Sequence, residues 1–529
     1  MKLRTFVFIP LATLGLSSCL IESSQPKPDN GENPLGLVST GPARHLSKQT
    51  YDALSPMQQY QVANKLLGSL YKGVSAREFF DMNAGFSNPQ ALGRDILGEA
   101  QSAIKEPMPS TDFTAAAANI EAKYLGSANT NTRAYAAPLA YMYGLPLSKD
   151  HFARWVAYQL VNNILFSPAG ELDSVVPIDI DIVYNRLVAG IDAQREIGDI
   201  VYDHMLSQEN WRRFRSPEDN VREMAEIYLL RFVDDEVPRA AKACKNWHLT
   251  DAANNYRLVI DANVNREPVP NVLGTNAIIS CYDFYKRVAT HPALIPTVAA
   301  RVVDQFFPDY STAERAAMVN GILSSHPTRF DQIYATVIFS EEYLLRVARL
   351  KNAEEALFNA AARLKWAPRE TTTGNPGSST FTDLNNENSS TLSTMGQAAM
   401  RYKLGRLFKV PTDTLSFAYY HSALRGAMIA IRGTATDGRA GWIAELYDSP
   451  GMSAMTLDNY IRYAFITAAQ RQPTDGDSSL VGTAELPTLK KLCTDLNYVN
   501  ISSVGVRQNI ARLIFDYVSR LPETYAYNR

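Results

Sequence analysis

An acidic segment near the middle of the chain carries the side chains best suited to chemistry. Residues 217–228 read PEDNVREMAEIY, and the candidates within it are Glu218, Arg222, Glu223 and Glu226. On a helix, Glu218, Arg222 and Glu226 share one face because each lies four residues from the next, whereas Glu223 points elsewhere. Two carboxylates held by a guanidinium could bind a cation or act in acid–base chemistry. Ion pairs at this spacing are also ordinary helix features, so we expect an internal ion network that docks this helix on another.

No second constellation in the sequence predicts a catalytic centre. Cys244 and His248 lie four residues apart, but no other Cys/His pair accompanies them at the spacing of a metal site. The sequence contains no G-x-S-x-G nucleophile elbow and no glycine-rich phosphate loop. We therefore assign no catalytic residue, no metal ion and no cofactor.

The elements that must position the acidic segment are predicted to be helices. Residues 55–58 read SPMQ, a capping box with proline at the first helical position. Apolar residues recur at helical spacing over 295–306 and again over 506–517. Strand signals are confined to 256–262, which alternates weakly and is expected to form one arm of a small hairpin. The predicted fold class is mainly α, a multi-helix globular body with at most a small β-hairpin.

The first residues have the pattern of an exported bacterial lipoprotein. Basic residues precede an apolar run over 5–16, which is too short to span a membrane. Residues 16–19 read LSSC and resemble the lipobox, in which the cysteine receives a diacylglyceryl group and becomes the first residue of the mature protein. We therefore predict a signal peptide over 1–18 and lipidation of Cys19. The alternative is an ordinary signal peptide with a chance cysteine.

The residues that follow the cysteine are predicted to form a flexible tether. The stretch 21–36 reads IESSQPKPDNGENPLG, and so polar a segment cannot bury enough apolar surface to fold. We assign 19–50 to this tether. Leu20 follows the cysteine, and by resemblance to the usual sorting rule a residue other than Asp there favours the outer membrane. The body would lie on its periplasmic or cell-surface side.

Composition divides the rest of the chain into two helical parts. Residues 370–394 are rich in Thr, Ser, Asn and Gly, which indicates a polar loop or a boundary. We therefore expect a main helical body over 51–369 and a C-terminal helical part over 395–529. The formal net charge is −2 and no run of Lys or Arg occurs, so nucleic acid is not an expected partner.

The cysteines allow one internal disulfide. After Cys19 they stand at positions 244, 281 and 493. Exported compartments permit disulfides, and Cys244 with Cys281 is the candidate pair because both fall in one subdomain. An odd number leaves at least one thiol free or paired between chains. Three buried thiols are the alternative.

Several motifs in the middle of the chain follow one another in the order of a known family. The acidic segment is similar to that family's N-E-N-x-A-R-E-L-x-E-L-F helix, and 291–306 is similar to its H-P-A-T-A-R-F-I-A-R-K-L-x-x-x-F segment. Residues 236–247 keep Val237 and Trp247 of its D-V-x-x-A-A-R-x-x-x-G-W stretch. Over roughly 150–370 the chain therefore resembles a large family of exported bacterial proteins catalogued as a domain of unknown function, which often neighbours a secreted, sulfatase-like family.

The chain departs from that family where histidines would be expected. The family has a W-H-N-H-F-like segment whose two histidines could ligate a metal or serve acid–base chemistry. Here residues 160–164 read LVNNI, and Val161 and Asn163 stand where the histidines would be. Imidazole is the commonest metal ligand, and valine cannot replace it. If the family has a histidine-based site, this member lacks it.

Together these features favour a non-catalytic binding or assembly module, held at the outer membrane as a lipoprotein. Its partners would be the membrane, through the lipid anchor, and another exported protein. The alternative is a hydrolase-like extracellular enzyme that acts on a polymer or cell-surface component through the acidic segment. Carboxylates lining an open cleft would favour the enzyme, and carboxylates buried against a neighbouring helix would favour the module.

Overall fold

A computed structural model describes residues 33–169, 176–231, 234–252, 255–262, 267–366, 368–371, 379–389, 391–394, 398–406, 443–476 and 484–527. Of the described residues, 59% are helical, and the strands among them form two small two-stranded antiparallel sheets. The predicted fold class, a mainly α multi-helix body, is therefore confirmed. None of the helices within the described ranges is long and apolar enough to cross a membrane.

Twelve of the described α-helices precede the first strand. They are α1 (Lys48–Asp52), α2 (Pro56–Ser69), α3 (Ala76–Phe79), α4 (Ile96–Ala103), α5 (Ser110–Ile120), α6 (Thr130–Gly144), α7 (Lys149–Val161), α8 (Pro177–Asp192), α9 (Ile197–Met205), α10 (Gln208–Arg213), α11 (Pro217–Leu229) and α12 (Val237–Ala243). A 3-10 turn at Gly41–Ala43 precedes α1, and a π-helical turn at Glu121–Leu125 continues α5.

The described strands are short, and the remaining described helices all follow β2 in the sequence. The strands are β1 (Trp247–Leu249), β2 (Leu258–Ile260), β3 (Arg349–Leu350) and β4 (Ala526–Tyr527). The remaining described α-helices are α13 (Cys281–Ala289), α14 (Leu294–Phe306), α15 (Thr312–Leu323), α16 (Phe330–Ile338), α17 (Glu341–Leu345), α18 (Ala353–Arg363), α19 (Thr380–Ser389), α20 (Thr391–Thr394), α21 (Ala444–Tyr447), α22 (Leu457–Ala469), α23 (Glu485–Asp495) and α24 (Val504–Val518). The 3-10 turns Met452–Ala454 and Pro522–Tyr525 complete the set.

Local sequence signals explain where many helices begin. The predicted capping box forms at α2, where the backbone N–H of Ser55 donates to the Gln58 side chain at 3.0 Å and Pro56 opens the helix. At α15 the backbone N–H of Ser311 donates to the Glu314 carboxylate at 2.9 Å. These side chains satisfy backbone groups that the first helical turn leaves without partners.

Helices α7 and α16 lie at the centre of the core. Every residue of α16 is buried, and so is nearly all of α7. The Trp155 ring of α7 meets the Tyr334 ring of α16 edge-on, with ring centroids 5.6 Å apart. Helices buried this completely must be enclosed by other elements of the body.

The two small sheets differ in how readable they are from the sequence. In β1 and β2, Trp247 lies opposite Ile260, so the hairpin expected around 256–262 is confirmed. In the second sheet Arg349 pairs with Tyr527, far away in the chain. Each of its strands has two residues, which is too short for any alternating pattern to appear.

The predicted tether of 19–50 is too long, because residues 33–47 form an ordered N-terminal strap. The Asn33 side chain donates to Thr336 Oγ1 of α16 at 2.7 Å, and the Leu46 backbone donates to the Phe339 carbonyl at 3.0 Å. His45 forms an isolated β-bridge with Ser340. Polar composition suggested flexibility, but the strap satisfies its backbone groups on the body. Helix α1 follows it directly, and residues 19–32 lie outside the described residues.

The predicted polar loop at 370–394 is also corrected, because α19 and α20 lie within it. Helix α19 packs on α6, and its buried Phe381 ring lies 5.1 Å from the Tyr124 ring and 5.6 Å from the Tyr143 ring. Phe381 and Leu384, three positions apart, form a short buried apolar face. In the sequence this pair stands among many Thr and Asn residues, so the helix was not predicted. The rest of this stretch, 372–378 and 390, lies outside the described residues.

Helix α18 carries two buried ion pairs that join distant segments to the body. Both Arg406 Nη atoms donate to the Glu354 carboxylate at 2.7 and 2.5 Å, and both side chains are 1% exposed. Arg349 makes a similar two-point contact with Glu355 at 2.9 and 2.5 Å. Tyr158 of α7 donates to the same Glu354 carboxylate at 2.8 Å. Helix α18 is therefore the centre of one buried ion network among the described residues.

Candidate functional site

The predicted acidic helix forms as α11, and its ends follow from local chemistry. Ser216 Oγ accepts the Asp219 backbone N–H at 3.0 Å, Pro217 is the first helical residue, and acidic side chains in the first turn complement the positive end of the helix dipole. The helix ends at Leu230, whose backbone is left-handed with φ of 49°. The buried face consists of Asn220, Val221, Met224, Ala225, Ile227, Tyr228 and Leu229.

The four candidate residues of α11 do not act as one cluster. Glu218 and Arg222 are exposed, and Glu223 and Glu226 are half-buried. Arg222 Nε lies 3.5 Å from Asp234 Oδ1 beyond the helix, with the Arg222 side chain 44% exposed. Within the described ranges no ion pair joins Arg222 to Glu218 or Glu226. Neither the guanidinium-held carboxylate pair nor the internal ion network expected for this helix is seen there.

Glu223 is the candidate residue with a distinctive environment. Burial raises the pKa of its carboxyl above the ordinary value, and the neighbouring Asp219 and Glu226 raise this pKa further. Lys403 and Arg213 act in the opposite direction, because they stabilise the charged carboxylate. A half-buried carboxyl with two facing cations is an environment that acid–base and anion-binding sites also use.

The side chain that faces Glu223 from the interior, Arg213, was not singled out from the sequence. Its Nη2 donates to the Lys403 carbonyl, and its guanidinium lies 4.7 Å from the centroid of the Phe214 ring. Lys403 Nζ lies 4.7 Å from the same centroid. Burial lowers the pKa of Arg213 to about 10. The available signal was Arg213 itself, a cation between the aromatic residues Trp211 and Phe214.

The two cysteines paired from the sequence are bonded in the structure. A disulfide joins Cys244, just after α12, to Cys281, the first residue of α13. Because Cys244 is in this bond, it cannot supply the half metal site considered with His248. His248 Nδ1 instead lies 3.5 Å from Asp261 Oδ2. The buried Cys493 is a free thiol, and no group of three or more metal-ligating side chains occurs among the described residues.

Val161 and Asn163, where the resemblance would place histidines, lie at a tight internal contact. Val161 is fully buried, and Asn163 forms an isolated antiparallel β-bridge with Gly405. A Cβ on Gly405 would stand 2.7 Å from the Ile164 nitrogen, so only glycine permits this approach, and its φ of +83° also favours glycine. The close approach of Gly405 to the backbone of 162–164 gives this contact a packing role.

Comparison with known proteins gives no relative for this chain. No family model, no curated protein and no solved structure matches it. The resemblance to the exported bacterial family therefore stays a prediction. Trp247, one of the residues that carry the resemblance, packs against the Trp211 and Tyr285 rings, with centroids 5.6 and 6.0 Å away.

Proposed function

We propose that this protein is an outer-membrane lipoprotein that acts as a non-catalytic binding or assembly module. The single observation that carries the proposal is the sequence LSSC at 16–19, preceded by basic residues and a short apolar run. Lipidation at Cys19 would attach more than one acyl chain, which makes membrane anchoring stable. The partners under this proposal are the membrane and another exported protein.

The packing of the N-terminal strap agrees with an anchored body. Asn33 and Leu46 are fastened to residues 336–339, so the segment between lipid and body reduces to 20–32. Fully extended, that segment would reach about 45 Å. The body would therefore stay close to the bilayer, where it could engage a membrane-associated partner.

The α11 carboxylates are exposed or half-buried, so they do not by themselves favour the module over the enzyme. The two buried glutamates of α18 do not support the enzyme either, because their ion pairs have packing roles. Glu354 and Glu355 each bind an arginine at two points in the interior. Two-point contacts of this kind fix the position of the segments that supply the arginines. The acidic residues Glu218 and Glu226 of α11 stand on the surface or half-buried, where they could meet a partner protein.

Membrane fractionation of a Cys19→Ala variant tests the anchor. We expect the wild type in the membrane fraction with a lipidated N-terminal cysteine by mass spectrometry, and the variant in the soluble exported fraction. Ser18→Ala is the matched control, because a small residue at that position keeps the lipobox pattern, and it should stay in the membrane. A Cys19→Ala protein that remained in the membrane would refute the anchor.

A pull-down of the membrane-extracted protein from its native cells tests the module. A stoichiometric exported protein partner would support it. The half-buried Glu223 beside two cations favours a second candidate, the hydrolase-like enzyme. A bound saccharide without a protein partner, lost together with turnover in Glu223→Gln, would establish that candidate instead.

A further inference from the structure

The first and the last described segments of the chain are fastened to one stretch of the body, residues 336–351. The N-terminal strap holds the beginning of this stretch. The backbone N–H of Leu46 donates to the Phe339 carbonyl at 3.0 Å, and the backbone N–H of Glu341 donates to the Arg44 carbonyl at 2.8 Å. Arg44 Nη2 also pairs with Glu341 Oε2 at 2.6 Å. The strap and the start of α17 are therefore joined through backbone and side chains.

The last described segment holds the other end of this stretch. It consists of residues 524–527, and we name it the C-terminal latch. The backbone N–H of Lys351 donates to the Tyr525 carbonyl at 2.9 Å. Tyr527 is 3% exposed and lies opposite Arg349 in the sheet, with the guanidinium carbon 5.1 Å from the centroid of its ring. The latch therefore holds β3 through its backbone and through a buried aromatic ring.

Helix α17 connects these two attachment points and is too short to be stable alone. It has five residues, whereas isolated helices shorter than about 12–15 residues are marginal in water. Ser340 Oγ caps it by accepting the Tyr343 backbone N–H at 3.1 Å, and the same Ser340 forms the β-bridge with His45 of the strap. On the side of the latch, Arg349 Nη2 donates to Tyr343 Oη at 2.7 Å. Direct contacts thus run without a gap from the strap through α17 to the latch.

We propose that the strap, α17, β3 and the C-terminal latch open and close as one cooperative unit, so that release of either terminal segment loosens the other. Proteins open locally in contiguous units, at free energies below that of global unfolding. Each terminal segment here supports one end of a helix that cannot form alone, so the loss of one support weakens the attachment of the other. A partner that displaced the strap would therefore also free β3. The proposal does not depend on the lipid anchor.

Contacts with α2 act against this coupling, because they hold the same stretch without either terminal segment. Tyr343 Oη lies 2.6 Å from Ser69 Oγ, and Lys65 Nζ donates to the Val347 carbonyl. If these contacts were enough to keep α17 in place, the strap and the latch would open separately. The two possibilities differ in which backbone amides exchange faster after a change in the strap.

Hydrogen–deuterium exchange of the full chain at pH 7, resolved by peptide, tests the coupling. Leu46→Ala removes a fully buried side chain of the strap. We expect it to speed exchange at least about tenfold both around residue 46 and at the Lys351 amide, which the latch protects. Leu139→Ala on α6 is the matched control, because Leu139 is equally buried but lies outside the unit, and it should leave Lys351 at the wild-type rate. Faster exchange in the strap with no change at Lys351 would overturn the proposal.

A variant of the latch keeps the test decisive if Leu46→Ala fails to fold. Coupling between two sites is reciprocal, so Tyr527→Ala should speed exchange at the Leu46 amide by about the same factor as at Lys351. Arg520→Ala is its control, since that side chain is 63% exposed and pairs only with the exposed Asp516 among the described ion pairs. It should change neither amide. Faster exchange at Lys351 with wild-type exchange at Leu46 would show that the contacts with α2 hold α17 and would overturn the proposal.

Discussion

Helices α11 and α18 carry similar acidic sequences but hold them in opposite environments. Both have neighbouring acids in the first turn, Glu218 and Asp219 in one and Glu354 and Glu355 in the other. In α11 the first turn is at or near the surface and no arginine is bound at two points. In α18 both glutamates are buried, and each binds an arginine at two points.

The difference shows that the position of the arginines decides whether the glutamates of an acidic helix form buried ion pairs or remain near the surface. Arg349 lies in β3, and Arg406 lies in the segment that packs on the end of α7 through Asn162. The backbones that carry both arginines are thus fixed by their own contacts with the body. On α11 the nearby Arg222 is exposed and reaches Asp234 instead. An exposed pair of this kind contributes little, while a buried pair becomes costly to break.

Glu354→Gln should give the largest effect, because it leaves the buried Arg406 charge without its carboxylate. We expect a loss of about 3–5 kcal/mol in the free energy of unfolding. Urea titration measures this loss. The double variant Glu354→Met, Arg406→Met should recover most of it, since no unpaired charge remains. A loss as small as that of a surface pair would remove the distinction between the two helices.

Part of the pH dependence of stability should come from the α18 region, and part from Lys65 and Lys72, whose pKa values burial also lowers to about 7. Burial lowers the pKa of Lys351 to about 7, with Arg363 adding to the effect, whereas the unfolded chain has the ordinary lysine value of 10.5. Between pH 7 and 10 the unfolded state therefore binds more protons, so stability should rise with pH.

Denaturation at pH 7 and pH 9 checks the direction. Lys351→Met should reduce the rise without abolishing it, because Lys65 and Lys72 remain. Lys491→Met on the exposed face of α23 should leave the rise unchanged, because its amine pairs with the exposed Asp495. Stability that fell over this range in the wild type would contradict the assignment.

Glu223→Gln should act weakly and in the other direction. Burial raises the pKa of Glu223, so the folded state binds a proton more tightly than the unfolded state, and stability falls as pH rises through that window. Glutamine mimics the neutral form, so the variant should be slightly more stable than wild type at pH 7 and equal to it below pH 4. Melting temperatures of the variant and the wild type at pH 7 and below pH 4 test this expectation. A less stable variant at pH 7 would mean that Arg213 depends on the carboxylate.

Arg222→Ala should have the smallest effect. Its ion pair with Asp234 is exposed at 3.5 Å, so we expect a change within about 0.5 kcal/mol. Urea titration at low and high salt measures it. A change above 1 kcal/mol would show that α11 contains a network like that of α18.

Short-range signals in the sequence were enough to predict much of the fold. The capping residues of α2, the arm of the hairpin at β2 and the mainly α class all follow from patterns within a few residues. Contacts between distant residues were not accessible in this way. Arg406 and Glu354 are 52 positions apart, and the β3–β4 pair joins residues still farther apart.

The candidate site was harder to predict than the fold for a physical reason. A helical period places Glu218, Arg222 and Glu226 on one face, but it does not say whether that face meets solvent or another helix. Arg213 and His204 gain their unusual environment from burial by several helices. Burial of a charge depends on the whole body, and single residue types do not report it.

The N-terminal strap has a mechanical consequence if the protein is anchored. A pull on the chain before residue 33 would load the Asn33–Thr336 hydrogen bond first, then the Thr40–Ser324 bond, and later the Leu46–Phe339 bond. The strap would detach one contact after another, and the buried Ala43 and Leu46 would resist last. Detachment of the strap under tension would lengthen the linker between bilayer and body while the helical core stays folded.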